Sequence, residues 1–391
     1  MNALDQIFVS LQRALAGLAP VPARPLLAMI LNIAGLMAVF GTCFALTTIL
    51  ERKILGRMQN RFGPNRVGPC GLFQPLADGI KMLIKEDIVP FSADKTLHFL
   101  APLALTVPVW LAFAVLPFGR NMSAVELDAG ILFFFAIGSA SELAVFMAGW
   151  SSQNKYSLLG AMRAIAQMIS YEVPLVLAGV PVLMAAGSLS LPDIVQAQSG
   201  FVLGCVPRWN VFTPWGLAGF TLFLIAAAAE SNRCPFDLPE GESELIAGYL
   251  TEYSGFKYAL FFLGEYLGLF AVTGLAVTLF LGGWQAPAAW LDWLPSWGWF
   301  AAKFSALIFL FIWVRATLPR LRLDQLLMFA WKFLVPLALV NLFVAAVWWK
   351  WPAPLTARWL VCAALLAAPY VWLGRTWNGP TSQERHYHYA E

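Results

Sequence analysis

The run Leu222-Phe-Leu-Ile-Ala-Ala-Ala-Ala-Glu230 and the run Tyr258-Ala-Leu-Phe-Phe-Leu-Gly-Glu265-Tyr-Leu-Gly-Leu-Phe-Ala-Val-Thr-Gly-Leu-Ala-Val-Thr-Leu-Phe-Leu281 are membrane-grade sequence, yet each carries a carboxylate. Between them stand Asp237, Glu240, Glu242, Glu244 and Glu252. A carboxylate beside hydrocarbon is costly, so it is neutral, paired or set in a wet cavity. A row of them at the mouth of a helical bundle points to proton handling. A solvated acidic loop is the plain alternative. Two positions weigh against it: Glu230 closes an apolar run, and Glu265 lies inside one.

Outward from these runs the chain stays apolar. Of its 391 residues 60% are hydrophobic and 12% charged, with a mean hydropathy of +0.69. Soluble domains are about a quarter charged, so the composition is that of a polytopic membrane protein. A span needs about 20 mostly apolar residues. Nine candidates satisfy this: 26–50, 99–117, 130–150, 163–186, 214–229, 258–281, 299–318, 329–350 and 357–373. None alternates as an outer-membrane strand does, so the spans are helices and the expected fold is all-α.

Lys and Arg set the orientation. Segment 51–98 holds Arg52, Lys53, Arg57, Arg61, Arg66, Lys81, Lys85 and Lys95, and its side also carries Arg163, Arg233, Lys257, Arg315 and Arg320. The positive-inside rule places that side, the acidic loop and the C-terminus in the cytoplasm. No basic stripe interleaved with aromatics argues for nucleic acid. The five cysteines form no C-x-x-C pair, and His98, His386 and His388 lie outside the spans. No metal, iron–sulfur or haem site is therefore expected in this chain. Residues 1–25 read as an amphipathic helix and a Pro-broken linker rather than a cleavable signal.

The first span ends at Leu50 and runs into Glu51-Arg52-Lys53, which fits an interface anchor. Arg61-Phe-Gly-Pro-Asn-Arg66-Val-Gly-Pro69 follows as a turn-rich basic loop. Then Leu72, Phe73, Leu76, Ile80, Leu83 and Ile84 recur at helical spacing, with Asp78, Lys81 and Lys85 off the stripe. That helix is too short to span and belongs on the membrane surface, as a lipid anchor or beside a head-group site for an amphiphilic ligand. Glu142 and Glu172 fall inside other apolar runs. Such groups either fix helix packing or mark an ion path. Glu240 and Glu244 share a face if their stretch is helical, and like charges at that spacing raise each other's proton affinity.

Two stretches carry a resemblance: Gly71-Leu-Phe-Gln74-Pro-Leu-Ala-Asp78-Gly-Ile-Lys81-Met-Leu-Ile-Lys85-Glu86 and Pro235-Phe-Asp237-Leu-Pro-Glu240-Gly-Glu242-Ser-Glu244. With Gly160-Ala-Met-Arg163, Gln167-Met-Ile-Ser-Tyr171-Glu172 and Glu252-Tyr253, the sequence resembles a respiratory complex I family of membrane proteins, found in bacterial NADH–quinone oxidoreductase and in mitochondrial NADH dehydrogenase, that joins the two arms of the complex. The resemblance covers roughly 30–375. It implies eight or nine spans that join the membrane arm to the peripheral subunits carrying the quinone-reduction pocket and the terminal iron–sulfur cluster. Small membrane subunits and lipid are the other neighbours. FMN and iron–sulfur clusters belong to partner subunits, and this chain supplies no catalytic residue. By the resemblance, quinone enters from the lipid between the first and sixth spans and the surface helix. Arg52, Asp78 and Lys81 then line its chamber, while Arg61, Arg66 and Asp237 face the peripheral arm. Glu142, Glu172, Glu230, Glu240, Glu242, Glu244, Glu252 and Glu265 match or lie near a polar funnel linking quinone chemistry to proton movement.

The implied organisation is an extension at 1–25 and a bundle at 26–375 with a quinone-access segment 51–98 and a coupling loop 230–257. A tail at 376–391, in the cytoplasm of a bacterium bounded by its inner membrane, completes it. The extension, the ninth span and the tail depart from the family, so no function is carried onto them. Cys234, where the family often has a small residue, is either a neutral filler or a reactive thiol. Three other readings compete: the equivalent subunit of a membrane-bound hydrogenase, a stand-alone cation transporter, and a structural anchor. A transporter would show an internal repeat, and an anchor leaves Glu142 and Glu172 unexplained. Reporter fusions after Asn154 and at Glu391 are expected to read cytoplasm, and one near Ala288 the opposite side; the same side at Asn154 and Ala288 would break the span count.

Overall fold

The computed structural model describes residues 3–18, 20–202, 206–238, 246–291 and 293–377. Fourteen helices carry them: α1 (Ile7–Gly17), α2 (Arg24–Met58), α3 (Gln74–Ile84), α4 (Lys95–Val115), α5 (Gly130–Gly138), α6 (Ala140–Ser151), α7 (Lys155–Ala186), α8 (Leu191–Ala197), α9 (Pro214–Glu230), α10 (Gly255–Phe280), α11 (Ser296–Thr317), α12 (Leu323–Phe329), α13 (Val335–Lys350) and α14 (Leu355–Trp377). Among the described residues the one β pairing sets Phe201–Val202 antiparallel to Val206–Pro207. The fold is all-α.

Local chemistry sets the boundaries. Asp94 caps α4 by accepting from Thr96 N and Leu97 N, and Asn154 caps α7 through Tyr156 N. Thr213 caps α9 with Pro214 in the first turn. Each cap satisfies orphan N–H donors of a helix start. Gly187 ends α7 at φ +66, in the left-handed region that glycine adopts without strain. Pro336 supplies no N–H to the turn before it, and residues Ala330–Leu334 take π register between α12 and α13.

Among the described residues eight helices are long and apolar enough to cross a membrane, with α5–α6 counted as one and α12–α13 as another. The 17-residue α9 is shorter than these. The loops nevertheless require it to cross, because they sort into two ends. At one end Asp94 N donates to Ser151 O at 3.0 Å and Leu321 N to Pro235 O at 3.2 Å, while Ser157 Oγ donates to Tyr249 O at 3.3 Å. At the other, Ile131 N donates to Leu189 O at 3.2 Å, and Gln198 Nε2 to Thr278 O at 3.0 Å. The segment before α9 belongs to the second end and the segment after it to the first, which gives nine crossings. The first end carries the basic loops and α3.

α10 is the axis of the bundle, with every residue from Leu269 to Phe280 buried. Aromatic contacts tie it to its neighbours: Phe270 meets Phe304 of α11 edge-on at 5.6 Å and lies 6.5 Å from Phe40 of α2. At the second end Lys303 Nζ donates to the carbonyls of Leu281 at 2.6 Å, Gly283 at 2.9 Å and Gln285 at 2.7 Å. It also stands 3.9 Å from the Trp209 ring centre. A cation inside the bundle is thereby matched on all sides.

The first helix does not end at Leu50. It continues through Glu51, Arg52 and Lys53 to Met58, because those side chains find partners in the fold rather than stopping at an interface. The surface helix forms as its spacing predicts, over Gln74–Ile84, with Pro75 in its first turn. Its stripe of Leu76, Ile80, Leu83 and Ile84 is exposed.

α7 approaches the segment before α10 at Gly160, where an added Cβ would lie 2.6 Å from Gly248 Cα and 3.0 Å from Tyr249 N. Backbone cannot yield as a side chain does. Gly160→Ala is therefore expected to destabilise the fold by about 1–3 kcal/mol, read as a lowered Tm in detergent; an unchanged Tm would mean that the 248–249 backbone moves aside freely.

Candidate functional site

Glu51 is 3% exposed. Arg233 Nη1 donates to both its oxygens, at 2.9 and 3.1 Å. Arg315 Nη1 donates to Oε1, and Tyr266 OH to Oε2 at 2.5 Å. The Arg233 guanidinium also lies 3.9 Å over the Tyr266 ring. Burial disfavours its charge, but Tyr266 and Glu51 more than offset this, so its pKa stands above the ordinary arginine value. One carboxylate thus meets two guanidinia, which leaves the local balance positive.

Immediately outside this cluster, on the adjacent face of α2 and on α3, Arg52 Nη1 pairs with Asp78 Oδ2 at 2.6 Å. Gln74 Nε2 steadies the other oxygen of Asp78 at 3.0 Å. Lys81 lies on α3 nearly one turn beyond Asp78 and is exposed. Lys53 Nζ donates to Cys70 O and anchors the loop before α3. Arg61 and Arg66 are exposed on that loop, Arg61 donating to Gln59 Oε1 at 2.8 Å. Asp237 is placed inward: it is 6% exposed and accepts from Arg320 Nη2 at 3.0 Å.

Glu265 precedes Tyr266 on α10, so the two side chains leave the helix on adjacent faces. Tyr249 OH donates to Glu265 Oε1 at 2.7 Å. Glu265 also borders a cavity of about 70 Å³, lined further by Tyr249, Asn232, Ser141, Gly138 and Glu230. That volume has room for several waters. Glu230 Oε2 is buried there with no hydrogen-bond partner among the described residues. The α5–α6 break brings the other acids in: an added Cβ on Gly138 would lie 3.8 Å from Glu230 Oε1, and Ser139 Oγ donates to Glu172 Oε1 at 2.5 Å. Glu142 and Glu172 are within hydrogen-bonding reach of each other, and both interact electrostatically with Glu230. Glu252 stands apart, accepting from Asn154 Nδ2 at 2.6 Å. Glu240, Glu242 and Glu244 lie outside the described residues.

Gln167 holds the root of the acidic segment. Fully buried, its Nε2 donates to Ala229 O and Phe236 O, both at 2.7 Å, and to Asn232 Oδ1 at 3.2 Å. The Cys234 thiol donates to Leu318 O at 3.5 Å. Burial first, and then the Asp237 carboxylate, push its pKa up. A raised thiol pKa disfavours the nucleophilic thiolate, so the neutral-filler reading holds. Among the described residues no three His, Cys, Asp or Glu side chains come together as a metal site.

The sequence model of the NADH dehydrogenase family matches residues 31–346. The chain belongs to this family. The H subunit of the NADH-quinone oxidoreductase of Dehalococcoides mccartyi is 54% identical to it over 297 residues, 76% of this chain and 80% of that protein. The corresponding H subunit of Geobacillus kaustophilus is 50% identical over 304 residues, 78% and 88% of the two chains. One from Geobacter metallireducens is 50% identical over 312 residues, 78% and 91%. The family match begins after α1 and ends before α14, and it contains every described member of the site.

Sequence reasoning missed Glu51 as a buried node, together with Arg315, Tyr266 and Tyr249. The available signal was the abrupt Glu51-Arg52-Lys53 at the foot of an apolar run, but it fits an interface anchor equally well. Glu51→Gln is expected to destabilise the fold by about 3–5 kcal/mol, since it leaves Arg233 buried without its counter-charge. Arg315→Gln, at a side chain 34% exposed, should cost clearly less. The Tm of the two variants in detergent checks the order, and equal losses would contradict it.

Proposed function

We propose that this chain is the quinone-facing membrane subunit of a proton-translocating NADH–quinone oxidoreductase, seated in a bacterial inner membrane with its basic end in the cytoplasm. The observation that carries this reading is the side-by-side placement of two polar sites on α10. Tyr266 faces the Glu51–Arg233–Arg315 cluster, and its neighbour Glu265 faces the cavity that Glu230 lines. Arg233 also interacts electrostatically with Glu265, so the two sites share charge.

Arg52, Asp78 and Lys81 form the polar edge where a quinone head group arriving along the exposed stripe of α3 is met. Its apolar tail suits that stripe, and its carbonyl oxygens suit cationic donors. The basic loop with Arg61 and Arg66 faces the peripheral partner, which supplies electrons from its own centres. Arg forks on an exposed loop suit carboxylate partners. Asp237 contributes to this docking by fixing Arg320 at the same end.

Quinone reduction consumes protons and alters charge beside Glu51. The positive balance of that cluster attracts the anionic intermediate states of such a reduction. A charge change there shifts the field at Glu265 through Arg233. The coupled carboxylates Glu265, Glu230, Glu142 and Glu172 respond by redistributing protons through the cavity waters. Glu240, Glu242, Glu244 and Glu252, acids of the same stretch of sequence, take part in this proton exchange.

Glu→Gln keeps volume and hydrogen bonding while removing titration. Glu172→Gln, Glu230→Gln and Glu244→Gln are expected to leave the complex assembled and NADH oxidation by an artificial acceptor intact. NADH–quinone turnover and proton pumping should each fall at least about tenfold. Near-normal turnover and pumping in all three would assign these carboxylates to packing alone.

A further inference from the structure

A second polar string lies outside both sites. It joins the loop that trails α3 to the loop that leads into α10. Ile88 N donates to Ser254 Oγ at 2.9 Å, and Ser254 Oγ donates back to Glu86 O at 3.2 Å. At Gly255, φ +58, an added Cβ would lie 3.0 Å from Lys85 O, so the two backbones touch. One turn on, Lys257 Nζ bridges Asp87 Oδ2 at 2.8 Å and His98 Nδ1 at 3.4 Å. An ammonium only donates, so Nδ1 accepts. His98 is fully buried and stacks on Tyr253 at 4.1 Å and 8°. The Tyr253 hydroxyl lies 3.1 Å from Ser151 Oγ. Tyr253 follows Glu252, whose carboxylate is held by Asn154, and Ser151 closes α6, which carries Glu142.

We propose that Lys257 is a positioning residue that locks the loop trailing the surface helix to the end of the acidic segment, so that a displacement of α3 at the quinone chamber is carried to Glu252 and the carboxylate cavity. The proposal rests on the coupling role argued above. The side chain suits the task. Lys257 is 14% exposed, so its ammonium is held by its two partners rather than by water. Asp87, on the loop after α3, and Lys257, in the first turn of α10, lie far apart in sequence, and their ion pair is the charged link in a junction that the Ile88–Ser254 and Ser254–Glu86 hydrogen bonds also hold. Such a string is a contiguous physical network with a definite bond to break, which a coupling argument needs. The cation bridges a carboxylate on the α3 side and an imidazole wedged against the acidic segment. Removing it cuts this charged link while leaving the Ile88–Ser254 and Ser254–Glu86 hydrogen bonds in place, without touching Asp78, Lys81 or any carboxylate of the cavity.

Charge reversal tests it in the intact complex, in inverted membrane vesicles. Asp87→Lys and Lys257→Asp are compared with the double reversal for NADH oxidation by an artificial acceptor, NADH–quinone turnover split into kcat and KM, and protons moved per NADH. Each single reversal is expected to keep the artificial-acceptor rate and to lower protons per NADH by about twofold or more, with the double reversal restoring most of the loss. A purely structural role would lower all rates together and leave the proton yield unchanged. Should a single reversal cut the artificial-acceptor rate, Lys257→Met, which keeps the stem and drops the charge, must show the lowered yield. Normal proton yield in the single variants, or a double variant no better than the worse single, overturns the proposal. Glu172→Gln, Glu230→Gln and Glu244→Gln measured in parallel separate the two readings. If all three pump normally the coupling role itself fails; if they lose pumping while the Asp87 and Lys257 variants do not, the strap alone fails.

Discussion

The Glu51 carboxylate is the constraint on which the rest of the basic end depends. It draws together the foot of α2, the segment after α9, the first half of α10 and the foot of α11 through Arg233, Tyr266 and Arg315. A charge taken out of water must be met by opposite charge and by hydrogen bonds to every lone pair, or it destabilises the fold. Two guanidinia and a phenol meet that condition only when the four segments sit in this one arrangement. The same arrangement turns Arg52 and Lys53 outward toward α3 and its loop. It also carries Arg233 to within electrostatic reach of Glu265.

Close backbone approach does for the acidic segment what ion pairing does for α2. Gly160 lets α7 touch residues 248–249, and Gln167 ties Ala229, Asn232 and Phe236 to the same helix. Glu230 is thereby held at the wall of the cavity instead of at its mouth. The break between α5 and α6 at Gly138 makes room for it and swings Ser139 onto Glu172. Packing of small residues therefore decides that the carboxylates of α9 and α10, Glu230 and Glu265, share a space with room for water, with Glu142 and Glu172 of α6 and α7 within electrostatic reach of Glu230.

The two ends of the bundle differ in kind. The end away from the basic loops is tied by hydrogen bonds: Lys303 inside three carbonyls, Asp5 accepting from Ser296 N, and Gln198 reaching Thr278. A polar cavity of about 340 Å³ opens there between Asp5, Arg120, Gln285 and Ser296. The basic end instead presents the apolar stripe of α3 and the exposed Phe62 and Phe91.

Hydropathy alone determined that the chain is an all-α membrane protein, because an apolar run of the right length has no other stable form in lipid; the ninth crossing, by the 17-residue α9, follows only from which loops meet at each end. Hydropathy also located the surface helix, since a 3.6-residue stripe too short to span records its own geometry. Family motifs added which acids to watch. What only the tertiary structure decided is which of those side chains meet. Glu51 and Arg315 lie 264 residues apart and Tyr266 lies 215 from Glu51, and no local pattern encodes such a pairing. The foot of α2 read as an interface anchor because a Glu-Arg-Lys triplet looks the same whether water or a buried guanidinium answers it. Asp237 meets its Arg320 partner 83 residues on, a pairing no local pattern encodes either. Burial is set by what packs over a residue, and that is a property of distant chain segments brought together by the fold rather than of the neighbours in sequence.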